Sequence, residues 1–174
     1  MQAYEEREKA LTNAANGDFL TGFLNRRGFY EAVDALRAED TPLALYLFDV
    51  DNLKYANDAF GHEVGDGLLK TFADILKQKT RDGDILCRYG GDEFIVVLKR
   101  ISSPAVILRK GEEICRTFGI HRLPDGTLSA CSGGIVMCGE GIKPTAEIIE
   151  KADKALYRAK RDKKGGCYLS GGTV

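Results

Sequence analysis

Leu43-Ala44-Leu45-Tyr46-Leu47-Phe48 is a continuous apolar run that stops at Asp49-Val50-Asp51. Apolar residues at both alternations describe a strand buried on both faces, which needs other layers above and below it. Strand alternation sets Asp49 and Asp51 on one side and Val50 on the other. Two carboxylates at the mouth of a buried strand are costly to desolvate without a cation, so they are candidate metal ligands.

The flanking segments read mostly as helices. Residues 2–16 are rich in Ala, Glu, Lys and Leu, and Tyr4 and Leu11 are spaced for a heptad seam or for a frayed surface helix. Gly17 ends that helix. Asn25 is a candidate N-cap for a helix to about Ala38 with Phe29, Val33 and Leu36 on one face. Asn52 to Phe60 predicts a short helix closed by Gly61, and His62 opens a longer one to about Thr80 with Val64, Leu68, Phe72, Ile75 and Leu76 inward. Pro104 opens a helix to about Phe118. The last helix is expected from about Thr145 to Lys163, with Ile148, Ala152, Ala155, Leu156 and Ala159 inward.

Ile85-Leu86-Cys87 and Phe94 to Leu98 predict a hairpin around Arg88-Tyr89-Gly90-Gly91-Asp92-Glu93, with the glycines at positive φ. Asp92 and Glu93 then stand at the mouth of its second strand. Further strands are expected at His121 to Leu123 and Thr127 to Val136, joined by Pro124-Asp125-Gly126. Within the latter, Ser132-Gly133-Gly134 marks close approach of another backbone or a ligand. Cys167 to Leu169 reads as an edge strand and Ser170 to Val174 as a loose tail. The order α-α-β-α-α-β-β-α-β-β-α-β predicts an α+β fold: a central mixed, largely antiparallel sheet of five to six strands flanked by helices.

A net charge of −1 over 174 residues leaves no broad basic surface for nucleic acid or an anionic membrane, so an anionic ligand must be met locally. The five cysteines form no C-x-x-C pair and read as small core residues in a reducing compartment. No apolar stretch approaches the ~18 residues of a membrane span. The expected location is the cytoplasm, either as a separate chain or as the cytoplasmic output domain of a larger, even membrane-bound, protein.

Four stretches now line up. The pattern D-x-L-T-G-L-x-N-R reads as Asp18 to Arg26, with Phe23 for the usual Leu; D-x-D-x-F-K-x-x-N-D-x-x-G-H-x-x-G-D reads as Asp49 to Asp66, with Leu53 for the usual Phe. R-Y-G-G-D-E-F is intact at Arg88 to Phe94, and A-D-x-A-L-Y-x-A-K reads as Ala152 to Lys160. In this order and spacing the chain resembles the GGDEF domain, the diguanylate cyclase family of bacterial signalling proteins. The resemblance implies a nucleotidyl cyclase, polymerase-palm-like architecture. It divides the chain into an N-terminal signalling-helix remnant (1–17), a catalytic domain (18–169) and a tail (170–174).

The resemblance implies a transferase that condenses two GTP into cyclic di-GMP and releases two pyrophosphates, as a two-fold homodimer below an upstream sensor domain. It places Mg²⁺, or Mn²⁺, on Asp49, Asp92 and the Val50 carbonyl, with Glu93 taking a second-metal, proton-accepting or transition-state role. Asn57 and Asp66 would read guanine: a carboxylate accepts from guanine N1–H and N2–H₂ together, and adenine offers no such pair. Helix capping is the competing explanation for each. The triphosphate would meet the amides at Asn52-Leu53-Lys54, Lys54 itself, and Lys160. Lys164 stands where the family carries arginine; it shares a helical face with Lys160 but lacks the bidentate fork, and a solvated lysine at a helix end is the alternative. Arg81 and Asp84 match the family's R-x-x-D inhibitory site for its cyclic di-GMP product. The alternative function is a catalytically silent module that binds cyclic di-GMP or GTP as a sensor.

Overall fold

The computed structural model describes residues 1–162 and 164–174, with the side chains of residues 2–4, 9, 10, 12 and 13 outside that description. The Tyr4 half of the heptad expectation and Lys163 therefore lie outside the described residues, while Leu11 is exposed. In chain order the elements are α1 (Gln2–Asn16), α2 (Arg26–Asp34), β1 (Leu43–Val50), α3 (Leu53–Phe60), α4 (His62–Lys79), β2 (Ile85–Arg88), β3 (Glu93–Lys99), α5 (Pro104–Phe118), β4 (Cys131–Cys138), α6 (Ala146–Asp162) and β5 (Cys167–Thr173). No described helix is long and apolar enough to cross a membrane.

The five strands lie in the order β2-β3-β1-β4-β5, antiparallel except for the β4–β5 pair. The apolar run predicted to be central is the central strand. Its alternation divides the core in two. Ala44, Tyr46, Phe48 and Val50 face the side covered by α4 and α5, where Phe72 packs edge-on against Phe48, Phe94 and Phe118. Leu43, Leu45 and Leu47 face the side covered by α2 and α6, with Phe29, Ile148 and Leu156. All five cysteines are buried in this packing.

Several boundaries differ from expectation. Helix α2 ends at Asp34, and a 3₁₀ turn follows at Ala38–Asp40. There the Arg37 N–H donates to the Asp40 carboxylate, a local bond that competes with helix continuation. The stretches predicted as strands at His121 to Leu123 and from Thr127 onward form a small hairpin with an isolated Arg122–Leu128 bridge, tied to the end of β1 where the Asp51 N–H donates to the Ala130 carbonyl; the sheet strand starts at Cys131. Residues 170–174 are not a loose tail. β5 runs to Thr173 beside β4, and the Val174 N–H donates to the Met137 carbonyl at 2.9 Å. Gly172 at φ 79° takes up the register shift in that pairing.

Candidate active site

β1 and β3 are antiparallel neighbours whose register sets Asp49 opposite Glu93. One step on, the Val50 N–H donates to the Asp92 carbonyl at 2.9 Å. The acids expected at two strand mouths are thus brought together by main-chain pairing. Asp49 points to the α2/α6 face, and there α6 delivers Lys160, whose Nζ lies 3.0 Å from Asp49 Oδ2 and 3.9 Å from Asp51 Oδ1.

One ammonium faces several carboxylates here, and the acids show it. Burial holds Asp49 above the ordinary carboxylate range; the Lys160 hydrogen bond opposes this and Asp92 reinforces it. Burial likewise raises Asp51, against the pull of Lys160. Glu93 is raised by burial, then by the charges of Asp49, Asp92 and Asp153. Hard oxygen donors that repel one another in a partly desolvated pocket suit a hard divalent cation. Among the described residues no group of three or more His, Cys, Asp or Glu side chains is gathered to hold a metal ion; Asp49 is instead turned to Lys160.

The signature loop is held from behind. Neither Gly90 nor Gly91 has positive φ, contrary to expectation. The loop Tyr89 to Asp92 is instead closed by the N–H groups of Tyr89 and Gly90 donating to the Glu93 carbonyl at 2.8 and 3.2 Å. Arg88 donates to the Gly91 carbonyl through Nε and Nη2 at 3.1 and 2.7 Å, and pairs with Asp18 at 3.2 Å. Asp18 also accepts from Thr21 N–H and Oγ1 at 2.9 and 2.6 Å. Asp18, Thr21 and Arg88 escape a sequence reading as positioning residues, although two motifs contain them. Asp153 escapes it too.

The nucleotide-side residues gather on α3 and α4. Asn52 sits at φ 62° ahead of α3, whose N-terminus has no side-chain cap, leaving the amides at Leu53 and Lys54 without one. Leu53 packs on the core and Lys54 is exposed. Asn57 Oδ1 is buried with no hydrogen-bond partner. A methyl on Gly65 would lie 1.8 Å from that oxygen, so α4 approaches Asn57 only because residue 65 is glycine. Asp66, next along α4, is exposed. The N-cap of α4 is Gly61, which has no side-chain cap bond, while Asn57 lies within α3. Lys164 is exposed, and its charge reaches Asp51.

Arg81 and Asp84 are not part of this assembly. They precede β2 beside Lys99, at the far end of β3 from Glu93, ~20 Å away at strand rise. Asp84, 3% exposed, accepts from Arg81 N–H at 2.9 Å and Lys99 N–H at 3.0 Å, whereas Arg81 is exposed with Nη2 on the Lys99 carbonyl.

The sequence profile described as "Diguanylate cyclase, GGDEF domain" matches residues 15–166. This chain belongs to the GGDEF family. It is 34% identical over 163 residues to diguanylate cyclase DgcZ of Escherichia coli, covering 91% of this chain and 55% of DgcZ. The chain thus spans about half the length of that relative. The solved GGDEF domain of TpbB from Pseudomonas aeruginosa superposes at TM-score 0.76 and 32% identity, covering 88% of this chain and 94% of that one. The coiled coil and GGDEF domain of DgcB from Caulobacter crescentus, solved in complex with c-di-GMP, superposes at TM-score 0.84 and 24% identity over 97% and 92% of the two chains. The five-stranded sheet with its helices is the palm-like nucleotidyl cyclase fold of GGDEF domains.

Proposed function

We propose that this GGDEF domain is a diguanylate cyclase that condenses two GTP into cyclic di-GMP, each 3′-hydroxyl attacking the α-phosphate of the other nucleotide with loss of pyrophosphate. The observation that carries the reading is the pairing of Asp49 with Glu93 across β1 and β3, with Lys160 on Asp49 and an intact signature loop braced by Arg88. Asp49, Asp92, the Val50 carbonyl and Glu93 are the residues for Mg²⁺ or Mn²⁺. When bound, such a cation neutralises phosphate charge and lowers the pKa of the attacking hydroxyl.

The chain's own groups supply the rest. Lys160, Lys54 and the amides opening α3 meet the triphosphate, and Lys164 adds charge beside them. Asn57, with its buried unpartnered oxygen, and Asp66 form the guanine side, Asp66 accepting from N1–H and N2–H₂. Glu93, its proton affinity raised, is suited to accept the hydroxyl proton. One nucleotide per chain makes two facing chains necessary, and α1 is the element through which an upstream sensor domain would set that encounter. Incubation with GTP and Mg²⁺ or Mn²⁺ over a range of protein concentrations, followed by nucleotide chromatography, tests this. Absence of cyclic di-GMP at every concentration would overturn it.

Gly65→Ala is expected to raise the KM for GTP about ten-fold, since Asn57 must move aside. Its melting temperature should stay within about 3 °C of wild type, because alanine favours the helix. Unchanged KM would remove Asn57 from the guanine side.

Feedback by cyclic di-GMP is proposed at Arg81, the exposed guanidinium, with Asp84 fixing the turn that presents it. Arg81→Ala is expected to keep turnover and to raise the product concentration giving half-inhibition by at least about ten-fold. Progress curves with added cyclic di-GMP measure this, and unaltered inhibition would place feedback elsewhere.

A further inference from the structure

Asp51 is the acid of the Asp49-Val50-Asp51 triplet that the proposed chemistry leaves without a task. Its side chain is 9% exposed, and Oδ1 lies 3.9 Å from Lys160 Nζ. Oδ2 is buried and has no hydrogen-bond partner. A buried acid with a purely structural role looks different in this same molecule, since both oxygens of Asp84 accept main-chain N–H groups. An unpaired buried carboxylate oxygen is costly and calls for a partner present in some other state of the site.

Among the described residues, the ammonium beside Asp51 is that of Lys160. It is bonded to Asp49 at 3.0 Å, with Asp51 as a second acceptor just beyond bonding distance. A divalent cation arriving at Asp49 meets that ammonium, and the two positive charges repel each other at such short range. We infer that Asp51 is a positioning residue that receives Lys160 when a divalent cation takes Asp49, keeping the lysine in the site for the triphosphate.

The inference rests on the reading of Asp49 as a metal ligand. The surrounding geometry makes the transfer a side-chain movement only. Asp51 is pinned by its own N–H, which donates to the Ala130 carbonyl at 2.8 Å. The α6 backbone is pressed against β4 at Gly134, so the root of Lys160 is fixed while its four-carbon stem can swing.

A double-mutant cycle on Mn²⁺ affinity tests it, using the nucleotide-free chain and the electron paramagnetic resonance signal of free Mn²⁺. Wild type, Asp51→Asn, Lys160→Met and the double variant are titrated, with circular dichroism to confirm folding; Asp51→Ser replaces Asp51→Asn if the amide does not fold. Losing a carboxylate near the ion weakens binding in both backgrounds, so the decisive quantity is the difference. The expected result is a weakening by Asp51→Asn at least about three-fold larger with Lys160 present than with methionine there. An equal or smaller weakening with Lys160 present overturns the inference, as does a wild type that binds no Mn²⁺. Product assays on the same preparations keep the two readings apart. Coupling without cyclic di-GMP sinks the cyclase reading alone, and an active wild type without coupling sinks this one alone.

Discussion

Asp49→Asn is expected to lower cyclic di-GMP formation at least about a thousand-fold, the loss of a few kcal/mol of charge stabilisation at the reacting phosphate, while making the metal-free chain harder to melt. The second effect follows from burial. The Asp49 carboxyl is raised by desolvation, an effect that the Lys160 hydrogen bond does not overcome and that Asp92 augments. The folded chain therefore holds this proton more tightly than the unfolded chain does. Stability from such a group is present at low pH and is lost as pH rises through the folded value. Asp51 and Glu93 are shifted the same way, so metal-free stability should fall as pH rises above about 4. Asparagine carries no charge to desolvate and leaves Asp51 for Lys160. A rise in melting temperature of about 2–4 °C near neutral pH corresponds to ~1 kcal/mol in a chain of this size. Added Mg²⁺ should stabilise wild type more than Asp49→Asn. Scanning calorimetry with and without Mg²⁺ measures both, and a variant that melts lower than wild type would show the Lys160 pair to outweigh desolvation.

Gly134→Ala is expected to be the most damaging single methyl in the chain. Gly134 pairs with Leu47 across β1–β4, and its Cβ would stand 2.0 Å from the Ala152 carbonyl oxygen, 2.3 Å from Leu156 N and 2.9 Å from Leu156 Cα. All three are main-chain atoms of α6, so no rotamer change relieves the clash and the helix itself must lift. That helix buries Ile148, Ile149, Ala152 and Leu156 and brings Lys160 to Asp49. Overpacking typically costs 1–3 kcal/mol; with a helix backbone as the obstacle, about 3 kcal/mol or more is expected, a fall of ~6–12 °C. Product formation should drop by about ten-fold or more in the fraction that still folds, because a 1 Å displacement of a positioning group is costly. Gly171→Ala, with no atom within 4 Å of the added carbon, is the control. Thermal melts of the two variants decide the matter: equal midpoints would mean that α6 can shift freely on the sheet.

Much of this architecture is legible in the sequence. Leu43 to Phe48 announced a strand covered on both faces, and the 3.6-residue spacing of Val64, Leu68, Phe72, Ile75 and Leu76 announced the helix that covers one of them. Ser132-Gly133-Gly134 signalled a close backbone approach, which is that of α6. The misjudged pieces share a cause. Residues 170–174 and the stretch around Pro124 have little side-chain pattern, and their pairing depends on whether a sheet edge lies beside them. The tail found β4; the Pro124 hairpin pairs across an isolated Arg122–Leu128 bridge and is tethered by Tyr55 donating to Asp125 at 2.6 Å.

Motif spacing in the sequence determined the family, the acids at two strand mouths and the residues offered to a nucleotide, because those properties are carried by residue type and local periodicity. Only the tertiary structure decided which groups face one another. It set Asp49 against Glu93 and under Lys160, tied Arg88 to Asp18, and turned Asp84 inward while leaving Arg81 outside. It also left one oxygen of Asp51 without a partner. The contacts of Asp49 with Glu93 and Lys160, and of Arg88 with Asp18, join residues far apart in the chain, and they exist because strand register and helix packing fix side-chain positions that no local pattern encodes.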